Sequence, residues 1–360
     1  MYKNLARGLL LACLVAALAF AVQADERPPL KVGFVYVTPI GNAGWTYQHD
    51  QGRLAMQEAL GAKVTTSFVE AVAEGPDAER VMRDLAAQGH KLIFATSFGY
   101  LEPALRVAVD FPNLAFEQAG GYKTARNVNT YNARYYEGRY LAGVLAGKVS
   151  RSGVAGYVAG FPVPEVIQGI NAFALGMRAA NPKAIVKVVW LDTWFDPPRE
   201  REAAITLVNQ GADVLTNHSA STAVVQAAEE MRVGVIAYQS DMRALAPHAQ
   251  LTAVTHQWGG YYTAVAKHVL DGTWRPTPVW GGMKDGFVQL APLSPSVPKD
   301  VAVLVQARQA DIVAGRLHPF SGRIVDRDGN LRQAGGAMPD AQIATMNYFV
   351  EGVVGTLPRP

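Results

Sequence analysis

The sequence predicts an α/β protein built of two similar, doubly wound lobes with a ligand cleft between them. Three observations lead to this fold class. Strand and helix patterns alternate along the chain, their order repeats after about 122 residues, and a length of 360 residues leaves room for two domains. A content of 49% hydrophobic and 18% charged residues excludes a disordered chain.

The first 24 residues are typical of a secretory signal peptide. Lys3 and Arg7 precede an apolar run from Leu9 to Val22, and the run ends on a cleavage site at Ala24. Cys13, the only cysteine, lies in the middle of this run, so we expect a periplasmic monomer without a lipid anchor. The leader holds two of the 33 basic residues and none of the 30 acidic residues. The rest of the chain therefore has a net charge of +1, which gives no reason to expect nucleic acid as a partner.

The first lobe is predicted from a strand at Lys31–Val37, where almost every residue is apolar or β-branched, as in a strand buried on both faces. Apolar residues recur with helical spacing at Asp77–Gln88. Further strands are indicated at Leu92–Ala95 and Leu114–Glu117. This alternation predicts a parallel sheet with helices on its faces.

A shift of about 122 residues reproduces this order in the second half of the chain. The matched segments are Lys31–Val37 with Gly153–Ala159, Val64–Glu70 with Val186–Asp192, and Gln88–Ile93 with Gln210–Leu215. We therefore expect a signal peptide at 1–24, a first lobe at 25–150, a second lobe at 151–270, and a segment at 271–360 that crosses the hinge and completes both lobes.

The position of the cleft follows from the strand order. Ligands of open α/β sheets bind beyond the carboxyl ends of the strands, so two facing lobes line a cleft with their strand-end loops. These loops are 38–49, 70–76, 96–102 and 118–122 in the first lobe and 160–168, 192–198, 217–222 and 239–243 in the second.

Three groups of residues could carry chemistry, and each has a structural interpretation. Ala95–Gly99 nearly matches the G-x-S-x-G turn of hydrolases but lacks its first glycine, which favours Ser97 as a helix cap over a nucleophile. Gly143–Lys148 is one residue short of a phosphate loop and reads as a packed helix. His218 and His256 could contact a ligand or be surface histidines, and no histidine has metal-ligand spacing. We expect a binding protein without catalytic residue, metal or cofactor.

Five stretches of the chain carry a family resemblance: Gly44–Gln51, Tyr131–Tyr140, Phe161–Val166, Trp194–Pro197 and Gly282–Gly286. Together they resemble the basic membrane protein family, the solute-binding proteins of bacterial ABC importers, over nearly all of the chain after the leader. The resemblance implies a two-lobed periplasmic-binding fold, a purine ligand, and an ABC permease in the inner membrane as partner.

Members of this family typically hold the purine between two aromatic rings, one from each lobe. Position by position, the resemblance places Trp45 and Phe195 in these roles, and both residues also fall in the cleft loops defined above. The further wall residues that we expect are Tyr47, Phe98, Tyr100, Asn132 and Trp194.

One departure from the family pattern bears on the ligand. Nucleoside-binding members carry a motif like V-D-S-D, in which the first acid helps to hold the ribose, and this chain has Gln239 in its place. The substitution favours a free purine base such as adenine. Asp241 is then a candidate acceptor for an exocyclic amine, with a capping role as the alternative, and Lys284 matches a cleft lysine of the family.

The sequence leaves three other functions open. A purine nucleoside receptor of the same family is the main alternative to a receptor for the base. A periplasmic nucleoside-processing enzyme would need clustered carboxylates, and no Asp-rich cluster follows the first strand. A chemoreceptor ligand-presenting protein would use the same closing cleft as an importer's receptor.

Overall fold

The computed structural model describes residues 28–358 as two α/β lobes, so the expected signal peptide and Cys13 lie outside the described residues. The strands are β1 (Leu30–Val35), β2 (Val64–Val69), β3 (Leu92–Ala95), β4 (Ala115–Ala119), β5 (Val128–Ala133), β6 (Val154–Ala159), β7 (Ile185–Trp190), β8 (Val214–His218), β9 (Gly234–Gln239), β10 (Gln250–His256), β11 (Val279–Gly281), β12 (Val288–Leu290), β13 (Ile324–Val325), β14 (Leu331–Gln333) and β15 (Val353–Val354).

Helices follow most of the strands and cover both faces of the sheets. They are α1 (Trp45–Leu60), α2 (Pro76–Ala87), α3 (Leu101–Asp110), α4 (Tyr135–Val149), α5 (Pro164–Ala180), α6 (Pro197–Asn209), α7 (Ala223–Met231), α8 (Gly259–Leu270), α9 (Lys299–Val313) and α10 (Asp340–Ala344). Within residues 28–358, none of the helices combines the length and the apolar character needed to cross a membrane.

The two sheets have the same strand order, which confirms the repeat. The first sheet runs β11-β5-β4-β3-β1-β2, and the second runs β12-β10-β9-β8-β6-β7-β15. Within each sheet the five repeated strands pair in parallel, and only β12 joins antiparallel. The doubly wound α/β fold with two similar lobes is therefore as the sequence predicts.

The last helix of each repeat packs on the other lobe. Helix α4 lies against α5 and the second sheet, whereas α8 lies against α1 of the first lobe. The expected bounds of 25–150 for the first lobe and 151–270 for the second follow the order of the chain and stay a prediction. Helices α4 and α5 approach so closely that a Cβ atom on Gly143 would lie 2.0 Å from the carbonyl oxygen of Phe173. The Gly143–Lys148 stretch is thus packed helix, as expected.

The chain crosses between the lobes three times, after β5, after β10 and between β11 and β12. Residues 317–358 then pack on the second lobe, where β15 extends the sheet beside β7. Asn171 of α5 fixes this segment, since its side-chain amide donates to the carbonyl of Tyr348 at 2.7 Å and accepts from the backbone N–H of Val350 at 3.0 Å. These crossings put the strand-end loops of both lobes face to face.

Candidate ligand-binding site

A cavity lies between the lobes, beyond the carboxyl ends of the parallel strands, and the space within its walls is about 490 Å³ when the open solvent at its mouth is included. Both lobes contribute to its wall, which consists of Val37, Trp45, Ser97, Phe98, Ala119 and Gly120 from the first lobe and Val163, Glu165, Trp194, His218, Ser219, Ala220 and Gln239 from the second. All except Val37 belong to the loops that the strand order indicates, so the position of the cleft is confirmed.

One tryptophan from each lobe lines this cavity in a fixed orientation. The indole N–H of Trp45, the first residue of α1, donates to the carbonyl oxygen of Thr96 at 2.7 Å. The indole N–H of Trp194 donates to Oε1 of Glu74 at 3.3 Å, and its ring meets the edge of Phe161 at a centroid distance of 4.9 Å. Two anchored aromatic rings therefore border the same space, which suits a flat ligand.

Phe195 lies outside the cavity, with 39% of its surface exposed. The loop before α6 explains this position: Thr193 Oγ1 accepts from the backbone N–H of Phe195 at 3.3 Å, and Asp196 caps the helix by accepting from Arg199. Neighbouring residues in such a turn point to different sides, and here the preceding residue, Trp194, points into the cleft. The second-lobe aromatic that borders the cavity is thus Trp194 instead of Phe195.

Gln239, the last residue of β9, is one of the residues that line the cavity. Its side chain is 3% exposed, and its Oε1 atom has no hydrogen-bond partner among residues 28–358. Its backbone has a φ of +71°, a region that costs energy for any residue except glycine. Strained residues with unpaired buried groups concentrate at functional sites, so this amide is a candidate contact for a ligand.

Glu165 and His218 form a polar pair at another part of the wall. Glu165 lies in the first turn of α5, and its Oε1 is 3.6 Å from His218 Nε2. Burial lowers the pKa of His218, and the neighbouring carboxylate only partly offsets this effect, so the imidazole is neutral at neutral pH. Its Nδ1 atom is buried without a hydrogen-bond partner in the described part of the chain.

Ser97 and its repeat mate Ser219 are held by carboxylates. The Ser97 hydroxyl donates to Glu74 at 2.6 Å, and the Ser219 hydroxyl donates to Glu200 at 2.7 Å. The side chain of Ser97 makes no capping hydrogen bond to the short helix that follows it within the described residues, so the expected capping role is corrected. A serine hydroxyl that donates to a carboxylate and has no histidine partner lacks the arrangement of a nucleophile.

The lobes are in direct contact on both sides of the cavity. The backbone N–H of Gly44 donates to Ser240 Oγ at 2.9 Å, and a Cβ atom on Gly44 would lie only 2.4 Å from the carbonyl oxygen of Ala220. The Trp194–Glu74 hydrogen bond also joins the two lobes. The structure therefore shows the closed arrangement of the cleft, in which Gly44 allows the close approach.

Asp241 and Lys284, two of the polar residues expected at the site, are exposed and do not line the cavity. Asp241 accepts hydrogen bonds from the backbone N–H of Arg243 at 3.1 Å and from the side chain of Gln250 at 2.5 Å, so it shapes the loop after β9. Lys284 lies on the crossing between β11 and β12.

The remaining expected wall residues are divided between three places. Phe98 lines the cavity, and Asn132 lines a groove that adjoins it. Tyr100 is fully buried in the first-lobe core, where its hydroxyl donates to the carbonyl of Val72 at 2.6 Å. Tyr47 is half-buried on α1, outside the cavity.

Two buried groups behind the cavity were not expected to be there. His256 is 1% exposed instead of lying at the surface, and burial lowers its pKa well below the ordinary value. Arg139 of α4 is fully buried, donates to Thr216 Oγ1 at 2.8 Å and lies 3.4 Å from the ring centroid of Tyr238. Arg139 thereby braces β8, the strand that ends at the cavity. Among residues 28–358, no cluster of three or more His, Cys, Asp or Glu side chains could hold a metal ion.

Comparison with known proteins yields a consistent set of similarities. A family model described as ABC transporter substrate-binding protein, PnrA-like, matches residues 30–316. A purine-binding protein of Brucella abortus is 50% identical over 94% of this chain and 96% of its own length. A protein of Haloferax volcanii, named as an ABC transporter glucose-binding protein, is 37% identical over 93% of this chain and 83% of its own length. An ABC solute-binding protein of Aeropyrum pernix superposes with a TM-score of 0.70 at 19% identity, covering 81% of this chain and 93% of that structure.

Proposed function

The chain belongs to the PnrA-like family of ABC transporter substrate-binding proteins, and from this premise we propose that it binds a free purine base such as adenine and delivers it to a membrane permease. The family supplies the general role: a small-molecule ligand is captured and passed to an ABC permease. Proteins of this kind typically work outside the cytoplasmic membrane. The family alone does not identify the ligand, so the ligand is inferred from the geometry of the site.

The observation that carries the proposal is the pair of anchored tryptophans, one from each lobe, on a single cavity. Stacking of a base on an aromatic ring contributes about 1–3 kcal/mol. We propose that the base lies between Trp45 and Trp194, so that closure of the lobes completes the stack. The name of the Brucella abortus relative agrees with this class of ligand.

The polar groups of the cavity favour a base over a sugar-bearing ligand. Gln239, Glu165 and His218 offer a few hydrogen-bonding atoms, a number that matches the edge of a purine. A nucleoside or a hexose brings several hydroxyls, and each one left unpaired in a closed site costs about 1–3 kcal/mol. Gln239 also stands where nucleoside-binding relatives carry a sugar-holding acid. We therefore expect adenine to bind more tightly than adenosine or glucose.

The proposal includes export as a periplasmic monomer. The n-region, apolar run and cleavage site of residues 1–24 support it, as does the place of Cys13 inside that run. Intact-mass analysis of the exported protein should give a chain that begins near Asp25. A diacylglycerol group on Cys13 would contradict this part of the proposal.

Calorimetric titration of the purified protein tests the ligand. We expect adenine to bind at least about tenfold more tightly than adenosine, a difference of roughly 1.4 kcal/mol, and glucose to bind more weakly still. Trp194→Ala should weaken adenine binding by at least about 1 kcal/mol, whereas the matched control Phe195→Ala should leave it unchanged. Adenosine or glucose that binds as tightly as adenine would reject the free base as the ligand.

A further inference from the structure

Glu165 is the acidic residue in the wall of the cavity. Among the described residues that line the cavity it is the only carboxylate, and none of the others is a lysine or an arginine. Its Oε1 atom lies 3.6 Å from His218 Nε2, and its Oε2 atom lies 3.5 Å from the position that a Cβ atom on Gly120 would take. The carboxylate therefore forms the part of the wall between these two residues.

The carboxylate of Glu165 lacks a close hydrogen-bond donor. The 3.6 Å contact with His218 is longer than an ordinary N–H···O hydrogen bond, and no other group among residues 28–358 donates to Glu165. The side chain retains only 17% of its exposure, and a carboxylate withdrawn from water without donors is costly. A ligand that brings an N–H group to this part of the wall removes that cost and forms a charge-assisted hydrogen bond.

Most other polar side chains of the wall do not supply the missing donor. The hydroxyl groups of Ser97 and Ser219 donate to carboxylates behind the wall, so each can offer a ligand only its lone pairs. The indole N–H groups of Trp45 and Trp194 are likewise used, by the carbonyl of Thr96 and by a carboxylate. The side chains of the wall therefore favour a ligand edge that carries N–H groups.

We propose that Glu165 accepts a hydrogen bond from the exocyclic amine of the purine and thereby selects 6-aminopurines over 6-oxopurines. An amine at position 6 provides the donor that the carboxylate lacks, whereas an oxygen there sets a second acceptor against it. His218, in the tautomer with its proton on Nε2, is then placed to donate to the ring nitrogen beside the amine. This inference rests on the proposed function, namely that the cavity holds a purine base.

The sequence indicated a different residue for this role. Asp241 was the candidate acceptor for an exocyclic amine, but it is exposed and does not line the cavity. Glu165 has the same chemistry, lies in the wall, and has no competing donor from the described part of the chain. The structure thus offers one carboxylate in the position that the role requires.

Three bases test the inference by calorimetry with the whole protein. They are adenine, 6-methylpurine, in which a methyl group of similar size replaces the amine, and hypoxanthine, in which an oxygen replaces it. We expect 6-methylpurine and hypoxanthine each to bind at least about tenfold more weakly than adenine, because each leaves Glu165 without a donor at position 6. This comparison uses the wild-type protein and does not depend on the folding of a variant.

Glu165→Gln separates the carboxylate from the rest of the site. The amide keeps the size of the side chain, accepts less strongly from an amine and can donate to an oxygen. We expect this variant to bind adenine about tenfold more weakly than wild type, to bind 6-methylpurine within about threefold of wild type, and to bind hypoxanthine more tightly than wild type. Glu202→Gln is the matched control, because Glu202 is an exposed acid on α6 of the same lobe, and it should leave all three affinities unchanged.

The outcomes separate this inference from the proposed function. If 6-methylpurine or hypoxanthine binds the wild-type protein as tightly as adenine, the inference is overturned, while the proposed function stands. An equal loss for adenine and 6-methylpurine in Glu165→Gln would also overturn it, because Glu165 would then contact a ring N–H that both bases share. If no purine base binds the wild-type protein, the proposed function fails and the inference fails with it.

Discussion

In the proposed binding mode, the hydrogen bond between Trp194 and Glu74 links ligand stacking to closure of the lobes, because the Trp194 side chain takes part in both. Trp194→Phe keeps an aromatic ring at the cavity and removes the N–H group that reaches across the cleft. A hydrogen bond to a charged acceptor contributes about 1.5–3 kcal/mol, and we expect about 1 kcal/mol here because the N···O distance is 3.3 Å and the pair is only partly buried. That value corresponds to about fivefold in affinity.

A double-mutant cycle isolates this contribution. Glu74 also accepts from Ser97 and from the backbone N–H of Gly99, so Glu74→Ala has effects of its own that the cycle cancels. We expect a coupling of about 1 kcal/mol between Trp194→Phe and Glu74→Ala when adenine affinity is measured by calorimetry. Trp190→Phe is the matched control, since its indole N–H donates to the carbonyl of Thr356 at the sheet edge. Additive effects of Trp194→Phe and Glu74→Ala would refute the link between closure and binding.

Three further predictions follow from contacts near the cleft and in the first lobe. Gly44→Ala places a Cβ atom against the second lobe, 2.4 Å from a backbone oxygen, so adenine affinity measured by calorimetry should fall by about tenfold or more while the melting temperature changes by only a few degrees. Burial raises the pKa of Glu117 to about 7, above its ordinary value near 4.5, so its contribution to stability is present at low pH and is lost as pH rises through about 7. Urea unfolding should therefore show that the free energy of unfolding of wild type falls relative to that of Glu117→Gln between about pH 4.5 and 7. A difference between the two proteins that does not change with pH would contradict the raised pKa of Glu117. Gln239→Asp should reduce the difference in affinity between adenine and adenosine, because it restores an acceptor for the sugar. If calorimetry shows the same difference as for wild type, Gln239 does not cause it.

The fold could be predicted because its signals are local and repeated. Near-continuous apolar strands such as β1 and the helical spacing of α2 appear directly in the sequence, and the second lobe repeats them. The exchange of α4 and α8 between the lobes could not be predicted in this way. An amphipathic helix shows the same periodicity whichever sheet it packs against, so the sequence does not reveal its partner.

The site was predictable down to its loops but not to the direction of each side chain. Trp194 and Phe195 are adjacent aromatics in one loop, and only the turn before α6 determines which of them lines the cavity. Glu165 could not be identified as a cavity residue from the sequence, because an acidic residue in the first turn of a helix is common. The sequence places His218 near a strand end, but it does not reveal the contact of His218 with Glu165, which lies on a different element of the second lobe.

A crystal structure of the protein with adenine would test the proposed binding mode most directly. We expect the base in the cavity between Trp45 and Trp194, within hydrogen-bonding distance of Gln239 or Glu165, and the lobes closed through the Gly44–Ser240 contact. Adenine bound elsewhere, or bound in the cleft against Phe195 with Trp194 turned away, would contradict the proposal.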